Sequence, residues 1–177
     1  MPELVRCWPT ADPAYLAYHD EEWGRPVGDE RGLYERLCLE GFQSGLSWLT
    51  ILRKRESFRA AFAGFDPDAV ARFGERDVER LLGDAGIVRH RGKIEAAIAN
   101  AHAVLALREA GTPLNELMWE YRDAPDAKEL SKRLMAAGFR WVGPTTMYAA
   151  MQACGIVNDH VPDCWVREEV ERARRAG

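Results

Sequence analysis

The sequence predicts an all-α protein, and three observations carry that reading. Asp or Thr followed by Pro, the pairing of an N-cap with a proline at the first helical position, occurs at Asp12-Pro13, Asp66-Pro67 and Thr112-Pro113. Between these starts, apolar residues return at helical spacing. Runs of Val and Ile with strand alternation are absent from the sequence.

The elements follow in order. Asp12 opens a helix that carries Tyr15, Tyr18 and His19, with Tyr15 and His19 one turn apart. Leu33, Leu37 and Leu39 mark a second helix over about 29–41, and Gln43 to Ser47, with Gly45 inside, interrupts it. Trp48, Leu49, Ile51 and Leu52 begin a third. Short helices are predicted over 67–73 and 75–83, with a turn over 84–88. A long helix spans 93–110, with Ile94, Ile98, Val104, Leu105 and Leu107 facing inward. Helices over 129–137 and 145–153 complete the set, each followed by glycine, as helix ends prefer. The Arg- and Glu-rich residues 165–177 are expected to fray or to form a solvated helix.

The chain has 177 residues, enough for a substantial core without disulfides, and is expected to form one domain over 1–177. Hydrophobic residues are 47% and charged residues 29%, the balance of a globular protein rather than of a disordered or membrane-spanning one. The start lacks the apolar stretch of a signal peptide, so a cytoplasmic location is expected. Cys7, Cys38, Cys154 and Cys164 are then thiols or metal ligands. Cys38 and Cys154 lie in apolar helical contexts and read as small core residues. A net charge of −4 argues against non-specific coating of nucleic acid but leaves room for a local basic face. The clusters Arg53-Lys54-Arg55 and Arg89-His90-Arg91 with Lys93 fit such a face and equally fit solvated helix ends.

Three constellations could carry chemistry. Cys7 and His19 near the start, with His160 and Cys164 spaced i,i+4, make a Cys2His2 set that could close a tetrahedron around zinc. The same residues also fit ordinary thiols and a surface histidine. The segment Gly138 to Thr146, between two helices, could aim backbone N–H groups at a DNA phosphate, with Gly143 allowing close approach and Thr145 and Thr146 adding hydroxyls, or could be a plain capped connection. Trp8, Tyr15, Tyr18, Trp23 and Trp48 surround Glu40 in sequence. An aromatic surround with a carboxylate suits a planar cation that carries hydrogen-bond donors. Core aromatics beside a surface glutamate are the alternative.

Four strings then appear in order: Tyr18-His19-Asp20-Glu21-Glu22-Trp23-Gly24, Leu39-Glu40-Gly41 through Ser47-Trp48, Asp84-Ala85-Gly86 through Lys93-Ile94, and Met151-Gln152 through Asp159-His160. Together they resemble the bacterial 3-methyladenine DNA glycosylase I family, from about Arg6 to Cys164. The resemblance implies a helix–hairpin–helix DNA glycosylase fold, all α, acting on double-stranded alkylated DNA. It implies a structural zinc ion on Cys7, His19, His160 and Cys164, joining the two ends of the chain. It implies Glu40 as the base-contacting and catalytic residue and Tyr18 and Trp48 as the stacking walls. The DNA contacts fall on Gly143, Thr145 and Thr146, with Leu46 as the wedge that fills the gap left by a flipped base. No lysine stands in a Schiff-base motif, so hydrolysis without a lyase step is expected, and no protein partner is implied beyond a monomer.

Three departures from the family pattern matter. Trp8 follows Cys7 directly, where the family commonly has a residue between, which argues against a pocket role for Trp8. Pro144 follows Gly143 and removes one hairpin donor. The stretch 123–128 is short, as in a trimmed surface loop. Asp159, downstream of the hairpin, is read as a partner that orients His160 rather than as a general base. The rival readings are a zinc-stabilised DNA-binding module without catalysis and a zinc hydrolase of a small substrate.

Overall fold

The computed structural model describes residues 3–177 and is helical throughout, with no strand among the described residues. Ten α-helices run in order: α1 (Pro13–Glu21), α2 (Glu30–Gln43), α3 (Trp48–Ala61), α4 (Pro67–Val70), α5 (Glu75–Leu82), α6 (Arg91–Glu109), α7 (Leu114–Trp119), α8 (Ala127–Ala136), α9 (Pro144–Ala153) and α10 (Arg167–Ala176). A single 3-10 turn, Ala63–Phe65, lies between α3 and α4.

The start signals work through identifiable hydrogen bonds. Asp12 accepts from the backbone N–H of Ala14 and Tyr15, Asp29 from Gly32, and Ser47 from Thr50, each satisfying donors the first turn leaves open. Thr112-Pro113 behaves otherwise. Pro113 is itself the N-cap, with extended backbone and no side-chain bond, and α7 begins one residue later than predicted.

α2 is the centre of the molecule. Residues 37 to 42 are buried on every side, and the helix packs on α3, α6, α7 and α9. A helix apolar all round is a buried one. Phe42, Phe58, Phe62 and Phe65 stack beside it, with Phe62 and Phe65 rings 5.5 Å apart. Each such ring withdraws enough apolar surface to contribute ~2–3 kcal/mol. Cys38 and Cys154 are buried in this core. α6 crosses α2 through Ile94, Ala97, Ala101 and Val104, and Ala97 accepts a 2.6 Å hydrogen bond from the Tyr34 hydroxyl. Leu105, predicted to face inward, is only half-buried, because the small alanines and not Leu105 form the surface that α2 approaches.

Of the two expectations for the end of the chain, the helix is the one observed, though it is anchored rather than wholly solvated. α10 is a regular helix, and Val170 is fully buried in a small cluster with Val166 and Cys164. Arg174 donates to the Gly155 and Ile156 carbonyls at the end of α9, and Arg25 pairs with Glu169. Gly155 makes the close approach possible: its φ is +78°, and a Cβ there would lie 2.6 Å from the Gly24 carbonyl oxygen.

Candidate active site and metal centre

The four candidate metal ligands meet. Cys7 comes from the segment before α1, His19 from the last turn of α1, and His160 and Cys164 from the irregular segment between α9 and α10. Their ligand atoms all lie within 4.8 Å of one another. His160 and Cys164 reach the site from a turn and not across a helical turn. His160 Nδ1 is 3.3 Å from both Cys7 Sγ and Cys164 Sγ, and His19 Nε2 is 3.6 Å from Cys164 Sγ. Zn–S and Zn–N bonds of about 2.3 and 2.0 Å at tetrahedral angles require an S···N edge of about 3.5 Å, so the donor set fits that ion.

The opposite ring nitrogens are tied down. His19 Nδ1 donates to Asp20 at 2.7 Å, and His160 Nε2 donates to the Trp23 carbonyl at 2.9 Å. These bonds select the tautomers that leave His19 Nε2 and His160 Nδ1 with lone pairs facing the cluster. Asp20 also accepts from Arg6 and from the Trp165 indole. Burial alone would raise its carboxyl, but bonds from Arg6, His19 and Trp165 outweigh that and hold it at about 2. Burial pushes the Cys7 thiol up to about 11, so a thiolate there requires a positive partner at neutral pH. Asp159 does not touch the His160 ring. Its carboxylate accepts from the Tyr148 hydroxyl and, at 2.9 Å, from Gln152. The expectation that it orients His160 is therefore wrong; the Trp23 carbonyl already holds that nitrogen.

The cage lies directly behind the metal cluster. A cavity of about 190 Å³ is walled by Trp8, Tyr15, Tyr18, Trp23 and Trp48, with Glu40 among them. Trp8 is part of the wall after all. Its ring is 5.2 Å from Tyr15, 5.1 Å from Trp23 and 4.7 Å from the His19 ring. Following Cys7 directly does not turn the indole away; it places the ring between cluster and cavity. Tyr18 is 5.4 Å from Trp48 on the other wall. The indole N–H groups of Trp8 and Trp48 are buried without a protein acceptor.

Glu40 is only 6% exposed, and no donor among the described residues reaches its carboxylate. Burial pushes its carboxyl up to about 7, against the pull of Arg36 one turn earlier on α2. Arg36 was not foreseen as part of the site. It lies 6.0 Å from the Tyr18 ring centroid and donates to Glu22, which also accepts two bonds from Arg55. The i,i+4 spacing of Arg36 and Glu40 was the available signal. Gln152 also lines the cavity, and its side-chain nitrogen is the one that reaches Asp159.

Two exposed features flank the cage. Between α2 and α3 the chain turns at Gly45, whose φ is +81°. Leu46 N–H bonds the Gln43 carbonyl, and the Gln43 side chain bonds back to the Leu46 carbonyl at 2.6 Å, leaving the Leu46 side chain 40% exposed. The second feature is the hairpin joining α8 to α9. Gly138, at φ +105°, ends α8 while Phe139 N–H returns to the Leu134 carbonyl, and Phe139 and Val142 plug the turn into the core. Pro144 starts α9, so the N–H groups of Thr145 and Thr146 point from its first turn with no protein acceptor among the described residues.

The basic clusters are mostly engaged within the chain. Arg53 pairs with Asp12, Arg55 with Glu22, Arg91 with Glu75 and Glu95, while Lys54 donates to the Ala85 carbonyl. They are structural more than they are a free basic face.

The fold and the site define a class: an all-helical protein with a helix–hairpin–helix element, a carboxylate inside an aromatic cage, and a four-ligand cluster tying both ends of the chain together. The family profile described as methyladenine glycosylase matches residues 8–168. The chain is 49% identical to DNA-3-methyladenine glycosylase 1 of Escherichia coli K12 over an alignment 181 positions long, gaps included, which covers 91% of this chain and 96% of that one. A crystal structure of 3-methyladenine DNA glycosylase I superposes with a TM-score of 0.88 at 47% identity, covering 91% of this chain and 98% of the other. A second, from Staphylococcus aureus and described as showing the basis of 3-methyladenine recognition, gives 0.86 at 36% identity, covering 89% and 93%. The chain belongs to the methyladenine glycosylase family.

Proposed function

We propose that this protein is a DNA repair glycosylase that hydrolyses the N-glycosidic bond of 3-methyladenine in alkylated duplex DNA, releasing the base and leaving an abasic site. The observation that carries the reading is Glu40: a buried carboxylate without a protein donor, at the floor of an aromatic cage sized for one base. Such a group is costly to bury unless a ligand completes it. Methylation at N3 makes adenine a cation with an exocyclic amino donor, so the lesion supplies both the charge and the hydrogen bond that Glu40 lacks.

The chemistry follows from that fit. Leu46 fills the space of the extruded nucleotide, while the amides of Thr145 and Thr146 and the backbone at Gly143 hold a phosphate. Tyr18 and Trp48 stack on the base, and the cationic ring draws Glu40 into its ionised form. The bond between the sugar and the base breaks with its electron pair going to the base, which leaves neutral. A water oxygen bonds to the sugar carbon and releases one of its protons to solvent. Because the leaving group carries positive charge beforehand, selecting the cation is most of the catalysis.

The Cys7, His19, His160 and Cys164 set would hold a zinc ion, which supplies a cross-link and no chemistry, since four protein ligands leave no open position. No helix among the described residues is long and apolar enough to cross a membrane. A DNA substrate supports a cytoplasmic location for this chain. Cluster and cage are both built within one chain, so a single domain acting as a monomer suffices. The test is incubation of folded, metal-loaded protein with methylated duplex DNA. Free 3-methyladenine is expected; its absence would leave a DNA-binding module without catalysis.

A further inference from the structure

Lys93 is the one buried lysine among the described residues, 6% exposed, and it has no carboxylate partner. Its ammonium donates to the Phe42 carbonyl at 2.9 Å and the Ser44 carbonyl at 2.6 Å. These are carbonyls at the C-terminal end of α2, where the helix leaves acceptors open and the dipole favours a cation. The same ammonium lies 5.4 Å from the centroid of the Trp141 ring, which belongs to the hairpin. Two turns further along α6, Asn100 grips the hairpin backbone: its side chain donates to the Arg140 carbonyl at 3.1 Å and accepts from the Arg140 N–H at 2.7 Å. Seven residues of helix span about 10 Å. One rigid face of α6 thus holds the end of α2 at one point and the hairpin at another.

The two held parts are those that the proposed reaction must move as one. Ser44 opens the turn that presents Leu46, and Glu40 sits one turn upstream on α2. Trp141 lies three residues before the first turn of α9, in left-handed backbone at φ +59°, with its ring also edge-on to His90, the N-cap of α6. Its Cβ packs against Gly41, beside Glu40. Resting on the excision reading above, we propose that Lys93 is a positioning residue that fixes the Leu46 turn in register with the phosphate-holding hairpin, so that DNA gripped by the hairpin meets the wedge at the correct step. Lys93 does not touch the base or the sugar. Its contribution appears in base extrusion and not in recognition of the extruded base.

The test separates these steps. Lys93→Met keeps the stem and removes the ammonium. The variant is expected to bind free 3-methyladenine within twofold of wild type, by tryptophan fluorescence, and to retain its metal and its denaturant midpoint. Its single-turnover excision from saturating methylated duplex is expected to fall at least tenfold. 2-Aminopurine fluorescence next to the lesion, which reports unstacking, should fall with it. Combined with Leu46→Ala, the loss should be no greater than that of the slower single variant, because both act on one step. Trp141→Leu, at a position 42% exposed, removes the hairpin side of the same link and is expected to give the same split even if Lys93→Met does not fold. Unchanged excision, an equal loss of free-base binding, or additivity with Leu46→Ala would overturn the proposal. If wild type unstacks the duplex but releases no base, the excision reading fails while the 2-aminopurine comparison still decides the role of Lys93.

Discussion

The metal cluster and the Glu40 cage share α1 and stand a ring's width apart, yet they are finished to different degrees. In the cluster, both remote ring nitrogens have acceptors, Asp20 has three donors, and the four facing atoms lie within 4.8 Å of one another. In the cage, no donor among the described residues reaches Glu40, and two indole N–H groups find no acceptor among them. On the proposed reading, the locally complete part supports and the locally deficient part binds. The two are mechanically joined, because Trp8 follows one ligand and Tyr18 precedes another.

If the cluster is the support, breaking it should have the largest effect. Cys164→Ser, or chelation of the metal, is expected to cost at least ~3 kcal/mol of stability, and the cage should fail with it. Calorimetry with and without chelator checks this, and an unchanged unfolding temperature would show that the ends are held by packing alone.

Glu40→Gln should act in the opposite sense on stability while removing function. The Glu40 carboxyl titrates at about 7 in the folded chain, against an ordinary 4.5. Between these values the folded state keeps a proton that the unfolded chain has lost, so stability falls as pH rises from about 4.5 through about 7. The glutamine variant is free of that loss and should gain up to ~3 kcal/mol on wild type at pH 8 compared with pH 4. Excision should fall ~100-fold, since the variant offers no negative charge to the cation. Urea unfolding at the two pH values, alongside base-release assays, reads both effects; parallel pH profiles for the two proteins would show that Glu40 is not buried as an acid.

A milder change sharpens the contrast. Asp20→Asn keeps size but weakens the bond that orients His19, and should lower metal affinity ~10–100-fold while leaving metal-saturated protein able to bind free base. Competition with a metal indicator measures the first effect. A loss of base binding at saturating metal would mean that Asp20 shapes the cage directly.

The resemblance made legible in the sequence that Cys7, His19, His160 and Cys164 would meet, and that Glu40, Tyr18 and Trp48 would line one cavity. What escaped was direction. Whether the Trp8 indole faces cavity or solvent depends on where Trp23 and His160 bring their rings, which no local pattern encodes. Asp159 was misread for the same reason: adjacency to His160 says nothing of where a carboxylate points in irregular backbone. Lys93 looked like part of a surface basic run, but a long stem can carry an ammonium inward when helix-end carbonyls await it. The order of α10 depends on Val170 joining Cys164 and Val166 in a cluster that packs against Cys7, far away in sequence.

That distance bears on synthesis. Cys7 and His160 are separated by 153 positions, and closure of so long a loop is among the slowest contacts a chain makes. On the ribosome, α2 and its phenylalanines can pack while Trp8 and Tyr18 still lack the anchor that fixes them. The clip cannot close before residue 164 has emerged. On the proposed reading, a nascent chain gains its grip on damaged DNA last, and limiting metal would leave the cage without its anchor.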